Sequence, residues 1–222
     1  MKMRIGVIGA GHIGGNCARR AVEAGHEVKL SFARDPAKLE ELASGLGDRA
    51  SSGTVDDAVT FGEVVILAVP WGAIPEALAQ AGDLTDKVVI DTTNQFGSGP
   101  KPQPGQTAAG FNAQRMPGAR YVKSFNTLTA GFQEQAAHRR SPDRVVQWVC
   151  GDDPAAKQLV AGLIEEMGYV PVDLGSTQTC GVMEAPRRPG AVYGEEYRAA
   201  DAQAVVDAVR DRHAIPPTPT YS

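Results

Sequence analysis

The chain predicts an α/β fold, a mostly parallel sheet with helices on both faces, on three observations. Strand and helix signals alternate from the N-terminus to about residue 175. The run Val64-Val65-Ile66-Leu67-Ala68-Val69-Pro70 is apolar without a break, as a strand buried on both faces must be. Near the N-terminus a strand, a glycine-rich turn and a helix follow one another, and a second strand comes after them.

That first unit is the most informative. Met3-Arg4-Ile5-Gly6-Val7-Ile8 reads as a strand, and Gly9-Ala10-Gly11-His12-Ile13-Gly14 follows as G-x-G-x-x-G. The first glycine allows a tight turn, the second lets a pyrophosphate approach the backbone, and the third lets the helix pack against the sheet. His12 and Ile13 complete the loop, which offers free N–H groups and a positive helix end to phosphate. The helix runs from Ile13 to about Ala24, with Ile13, Cys17, Ala18, Ala21 and Val22 on one face and Gly25 ending it. Glu27 to Phe32 is the second strand, which closes a strand-helix-strand unit of about 30 residues, the length of a dinucleotide-binding motif. A bare connection between strands would have no use for the middle glycine.

The end of the second strand selects the cofactor. An Asp or Glu there holds the ribose 2′-OH of NAD, whereas a 2′-phosphate calls for arginine. The chain reads Ser31-Phe32-Ala33-Arg34, with no carboxylate at the strand end and a guanidinium that can grip phosphate with two bonds. Asp35-Pro36 opens the next helix as cap and first residue. Arg34 is therefore expected to bind the 2′-phosphate of NADP(H), with Ser31 assisting, the alternative for Arg34 being a solvated surface charge.

The later elements continue the alternation. Pro36 begins a helix with Leu39, Leu42 and Ala43 on one side, ended by Gly45, and Thr54 caps a short helix through Phe61 with Asp57 in a capping-box position. A helix from about Ala73 to Ala81 and a strand over Lys87–Asp91 come next, then an irregular loop from Phe96 to Gly105 that serves as a lid or is simply mobile. Beyond it lie a helix near Thr107–Arg115, strands at Arg120–Phe125, Val145–Cys150 and Tyr169–Asp173, a helix over Pro154–Met167 and a closing helix over Ala199–Arg210. The sequence thus divides into a Rossmann-type, doubly wound domain at 1–175 and a short helical extension at 176–222 that completes the substrate pocket or a dimer contact.

In such a sheet ligands lie beyond the carboxyl ends of the strands at the point where strand order reverses. The residues just past those ends are Val69-Pro70-Trp71, Asp91-Thr92-Thr93-Asn94 and Ser124-Phe125-Asn126-Thr127, and they are expected to converge on the nicotinamide and its ribose. Trp71 is either a pocket wall or packing. Asn94 and Asn126 either bond the ribose or carboxamide or serve as turn residues.

Gly9 to Gly14, Ala24-Gly25-His26-Glu27-Val28, Ala68-Val69-Pro70-Trp71, Ser124-Phe125-Asn126-Thr127 and Cys150-Gly151-Asp152-Asp153-Pro154 together resemble the NADP oxidoreductase, coenzyme F-420-dependent family over residues 3 to 175. The resemblance implies NADP over the strand ends with a deazaflavin stacked near the nicotinamide, and a homodimer. It implies cofactor contacts at Gly9 to Gly14, Ser31, Arg34 and the Ala68-Val69-Pro70 strand end, and substrate contacts at Asn126, Thr127 and Leu128. The segment from Met183 to Tyr197 departs from the apolar closing segment of those enzymes, being charged and broken by prolines. It forms a polar rim of the site, covers a dimer partner or runs over the surface.

The expected chemistry is hydride transfer between NADPH and a small flat redox acceptor, coenzyme F-420, a flavin or a ferric species. Such transfer depends mainly on orientation, so no acid or base is assigned, and His12, His26, His138 and His213 are read as structural. The alternative is a silent NADP(H) sensor or interaction protein. Related imine and hydroxyacid enzymes need a long helical C-terminal domain, and the hydroxyacid group a lysine within it; no lysine follows Lys157. A formal net charge of −4 gives no footprint for nucleic acid, no apolar run is long enough to cross a membrane, and three cysteines without C-x-x-C suggest neither disulfide nor metal site. A cytoplasmic enzyme is the expectation.

Overall fold

A computed structural model describes residues 2–221. Its eight strands are β1 Arg4–Ile8, β2 Glu27–Ser31, β3 Ala50–Ser52, β4 Val64–Leu67, β5 Val88–Asp91, β6 Arg120–Lys123, β7 Val146–Gly151 and β8 Val170–Asp173. They form one sheet in the order β3-β2-β1-β4-β5-β6-β7-β8, parallel throughout except where β7 runs antiparallel to β6. The chain moves outward from β1 to β3, then returns to place β4 on the other side of β1. That reversal puts the crevice above the ends of β1 and β4.

The helices are α1 His12–Glu23, α2 Pro36–Gly45, α3 Val55–Phe61, α4 Ile74–Ala79, α5 Ala108–Gln114, α6 Ala130–Ala136, α7 Pro154–Glu166 and α8 Ala199–Arg210. Two apolar cores, one on each face of the sheet, follow from the two-residue period of a strand. Val64 and Ile66 join α1 and α7 residues such as Cys17, Ala18, Val160 and Leu163, while Val65 and Leu67 join Val59, Ile74, Ala109 and Val205 from α3, α4, α5 and α8. The doubly wound Rossmann-type fold expected from the sequence is the one observed. Burial pushes the Cys17 thiol up to about 12, as suits a core residue.

The capping signals act as the letters suggest. Thr54 and Asp57 form a complete capping box, Asp35 accepts from Ala37 N at 3.0 Å, and Asp153 accepts from Ala155 N and Ala156 N. Arg120 and the bonds from α7 hold the Asp153 carboxyl well below its usual range. Two elements were not anticipated, the edge strand β3 and the helix α6. The helix expected over 73–81 is shorter at both ends, because a 3₁₀ turn at Trp71–Ala73 precedes Ile74 and Gln80 caps the helix after Ala79.

Candidate functional site

The register aligns Ser31, Ile8, Leu67, Asp91 and Lys123 in one row across β2, β1, β4, β5 and β6 at their carboxyl ends. Everything predicted for the site lies on or just beyond this row, apart from the rim contributed by the C-terminal segment.

The glycine loop has the three properties its spacing implies. Gly9 sits at φ +110°, and a Cβ there would lie 2.4 Å from Ala68 O. A Cβ on Gly14 would lie 1.8 Å from Gly9 O, so α1 can pack this closely only with glycine. Gly11 has ordinary backbone angles and faces open space, with nothing within 4 Å of a Cβ built on it. No side chain caps α1, and its first turn contains no acid, so the N–H groups near His12 and Ile13 are left for a ligand.

At the end of β2 one expectation is corrected. Ser31 is fully buried, and its hydroxyl donates to Val7 O at 2.9 Å while its carbonyl accepts from Gly9 N at 2.9 Å. Its side chain turns into the sheet, so it supports the glycine loop from below and does not reach a 2′-phosphate. Phe32 follows at φ +57°, an uncommon conformation for a bulky residue, and carries Ala33 and Arg34 out to solvent. Among the described residues no carboxylate pairs with Arg34, and Asp35 is occupied in capping α2.

The β4 end brings a second correction. Ala68 N bonds Ile8 O at 2.8 Å, Val69 is buried and Pro70 is exposed, so this turn lies directly beside the glycine loop. Trp71, however, is only 2% exposed; it stacks on Phe111 at 6.1 Å, and its indole N–H donates to Pro100 O at 2.7 Å. It is packing, and it ties down the 96–105 loop; it does not wall a pocket.

At the ends of β5 and β6 the asparagines meet each other. Asn94 Nδ2 donates to Asn126 O at 2.7 Å, and Asn126 Nδ2 donates to Asn94 Oδ1 at 3.1 Å and to Met183 O at 2.6 Å. Gly194 N donates to Thr127 O at 2.8 Å, which draws the charged C-terminal segment onto the strand ends as a rim. Asn126 and Thr127 thus lie beneath this segment, 4% and 2% exposed, and are not open pocket walls as expected. Leu128 does line a cavity of about 560 Å³, with Thr129, Phe132, Gly194 and Glu195. Three buried polar atoms of the β6 turn, Ser124 Oγ, Asn126 Oδ1 and Thr127 Oγ1, have no hydrogen-bond partner.

Beneath this turn lies a charged network that motif reading missed. Asp91 and Lys123, both fully buried, sit 3.4 Å apart, and Asp91 also accepts from Tyr121 OH at 2.5 Å, Asn112 Nδ2 at 2.8 Å and Thr93 N at 2.7 Å. Burial pushes the Asp91 carboxyl up, but the Lys123 ammonium and these three donors together hold it below its ordinary value. Burial and the adjacent carboxylate raise the Tyr121 hydroxyl. Lys123 also donates to Thr93 O at 2.8 Å, so both backbone groups of Thr93 are clamped. A lysine inside the apolar run Tyr121-Val122-Lys123 was the available signal.

An uncapped glycine loop at the reversal of a Rossmann sheet, and an exposed arginine after the second strand that pairs with no carboxylate among the described residues, define a dinucleotide-binding site. The comparisons associate such a site with NADP-dependent oxidoreductases. Residues 4–95 match the model of the family described as NADP oxidoreductase, coenzyme F420-dependent, which bears out the resemblance read from the motifs. A hypothetical protein SMa0349 from Sinorhizobium meliloti superposes with a TM-score of 0.78 at 28% identity, covering 89% of this chain and 96% of that one. A protein of Arthrobacter sp. FB24, provisionally assigned as an F420-dependent NADP-reductase, superposes at 0.67 with 26% identity, over 81% and 87% of the two chains. Metalloreductase STEAP3 of Rattus norvegicus is 29% identical over 182 residues, 82% of this chain and 36% of its own length. The chain therefore spans about a third of the curated relatives it matches. Among the described residues no helix is long and apolar enough to cross a membrane, and no cluster of His, Cys, Asp and Glu could hold a metal ion.

Proposed function

We propose that NADPH lies over the ends of β2, β1 and β4 and passes a hydride to a flat redox acceptor, coenzyme F-420 or a flavin, at the ends of β5 and β6. What supports this reading is the open, uncapped first turn of α1, together with an exposed Arg34 that pairs with no carboxylate among the described residues. The pyrophosphate takes the free N–H groups at Gly11, His12 and Ile13, and Arg34 takes the 2′-phosphate. The nicotinamide then reaches toward the β5 and β6 turns, which Asn94 and Asn126 tie together from beneath the C-terminal segment.

The chemistry asks for orientation more than for proton transfer. One hydride, two electrons and a proton, leaves NADPH; the acceptor ring takes it together with a solvent proton, giving NADP⁺ and the reduced ring. No histidine belongs to the β5 and β6 turns: His12 lies in the glycine loop, His26 accepts from Met3 N at the opposite end of the sheet, and His138 lies beside Arg20. The clamped Thr93 keeps the β5 turn, with Asn94, from shifting under the ring.

The relatives named metalloreductases favour a second reading, in which ferric iron is the final acceptor. A ferric ion takes one electron and a hydride carries two, so a ring that accepts two and releases one must stand between them, which a flavin does and a deazaflavin does not. We place the reaction in the cytoplasm, in a homodimer with small-molecule partners only.

The test follows NADPH absorbance with the purified chain and, in turn, coenzyme F-420, FMN, and FMN with a ferric chelate. Oxidation by F-420 or FMN supports the first reading, and iron reduction that depends on FMN supports the second. Tight NADPH binding without oxidation by any of them would establish the silent sensor instead. Sedimentation that gives only monomer overturns the dimer.

A further inference from the structure

Phe96 is the one large hydrophobic side chain that is strongly exposed among the described residues, at 57%. The other aromatic groups among the described residues are buried, as Trp71, Trp148, Phe125 and Tyr169 are, or half-buried, so the exception calls for an explanation. Phe96 is not a loose loop residue. Its N–H donates to Asn94 O at 2.8 Å, and the far side of its loop is pinned by the indole of Trp71 on Pro100 O.

A second aromatic ring meets it from a distant segment. Tyr193 lies 6.2 Å from Phe96 between ring centroids, tilted by 57°. Its backbone is fixed on both sides, by Val192 N on Val182 O and by Gly194 N on Thr127 O, each at 2.8 Å. Asn94 and Thr127 belong to the two turns that end β5 and β6, so the rings stand at the mouth of the site on rigid supports. A cavity of about 560 Å³ has Gly194, the residue that follows Tyr193, on its wall with Leu128 and Phe132. That volume is within the range of small-molecule sites, about 300–1,000 Å³.

We propose that Phe96 and Tyr193 form the stacking platform for the acceptor, a planar tricyclic heteroaromatic ring of the flavin or deazaflavin class, whose side chain runs into the cavity beside Leu128. A tilted pair is not a closed sandwich and leaves ring surface free for a third flat system. Neither residue carries charge, so the platform recognises shape and π-surface and leaves selection of polar substituents to the cavity rim, where Arg187 and Glu195 stand. The role of the ring as hydride acceptor rests on the function proposed above, whereas its binding does not.

Riboflavin and deazariboflavin are titrated into the NADP⁺-saturated chain, following fluorescence of the ring, for wild type, Phe96→Ala, Tyr193→Ala, the double variant and Phe96→Tyr. Wild type quenches at least one of the two probes saturably. Each alanine variant weakens that binding about tenfold, the loss seen when a stacked aromatic is removed from under a planar base, and the double variant weakens it further. Phe96→Tyr retains binding, and NADP⁺ affinity stays within about twofold of wild type in all variants, since neither ring touches the glycine loop or Arg34. Equal probe affinity in wild type and the double variant, or no binding of either probe to wild type, overturns the platform. Turnover separates the two claims. Bound probe with no NADPH oxidation defeats hydride transfer and leaves the platform standing; oxidation with an unchanged KM for the ring in the double variant defeats the platform alone.

Discussion

Replacing Arg34 by alanine is expected to weaken NADPH binding while leaving NADH binding unchanged. A guanidinium–phosphate contact in a protected site contributes about 1.5–3 kcal/mol, but Arg34 is exposed and its field is screened over about 8 Å at physiological salt. Discounting for solvent leaves a loss of about five- to thirtyfold in NADPH affinity. No other group is positioned to compensate fully: Ser31 is spent beneath the loop, Asp35 has the wrong sign, and Lys38 on α2 is a point charge without the fork. Nor does removal leave an orphaned carboxylate, so stability should be unaffected. Fluorescence titration of both cofactors into wild type and Arg34→Ala, at low and at physiological salt, measures the effect, and the NADPH difference should shrink as salt rises. Unchanged NADPH affinity would refute the assignment. A parallel loss of NADH would do so as well, because it would mean that Arg34 supports the loop and does not read the 2′-phosphate.

Three further outcomes follow from the geometry. Gly11→Ala, whose Cβ meets open space, should melt as wild type does and yet lose NADPH affinity by about tenfold or more, whereas Gly14→Ala, whose Cβ would lie 1.8 Å from Gly9 O, should lower the melting temperature before any cofactor is added. Lys123→Met should cost about 3–5 kcal/mol in denaturant unfolding, because it leaves the Asp91 carboxylate buried without its cation; Asp91→Asn with Lys123→Met should recover part of that. Since the folded Asp91 carboxyl lies below its ordinary value of 3.8, its contribution is complete above that value and is lost as pH falls from there through the lower folded value, so acid titration of stability should be shallower in the double variant. Finally, a thiol reagent at about pH 8 should leave the native protein unlabelled, because Cys17, Cys150 and Cys180 are buried and the Cys17 thiol titrates only near 12; all three should react on unfolding.

What could be read from the letters was whatever depends on backbone geometry or on one local run. Gly9, Gly11 and Gly14 are legible because each position excludes a Cβ or leaves room for a ligand, and Val64 to Leu67 because a strand covered on both faces admits no polar break. β3 was missed because Ala50-Ser51-Ser52 has no apolar pattern; it forms on the unpaired edge of β2, where Val28 N already bonds Arg49 O. α6 was missed because its seven residues include Gly131, Gln133 and Glu134, and it is held by the Thr129 cap and by the Gln133 amide donating to Phe125 O and Leu128 O. Ser31 and Trp71 have side chains that suit a ligand equally well, and only the three-dimensional neighbours, Val7 O in one case and Pro100 O in the other, decide otherwise. Asp91 and Lys123 are 32 residues apart and become partners solely through the register of β5 on β6.

The row of residues that ends the sheet changes character along its length, and the change divides the labour of the site. At Ile8 and Leu67 it is apolar, and the cofactor is received there by shape, through glycines that admit no substitute at Gly9 and Gly14 and open space at Gly11. At Asp91 and Lys123 it is charged and buried, and the charges immobilise a turn in place of touching a ligand. From that turn Asn94 reaches the C-terminal segment, with Ala185 N on Asn94 Oδ1 at 3.4 Å, and Phe96 meets Tyr193. On the proposed function, acceptor selectivity falls to the exposed residues of two segments outside the sheet, 96–105 and 183–197, whose buried residues Met183, Val192 and Tyr197 belong to the core. Exchanging only their exposed residues between relatives should move the choice of acceptor while the melting temperature and the preference for NADPH stay with the frame. Chimeras whose cofactor preference moved with the loops would contradict that division.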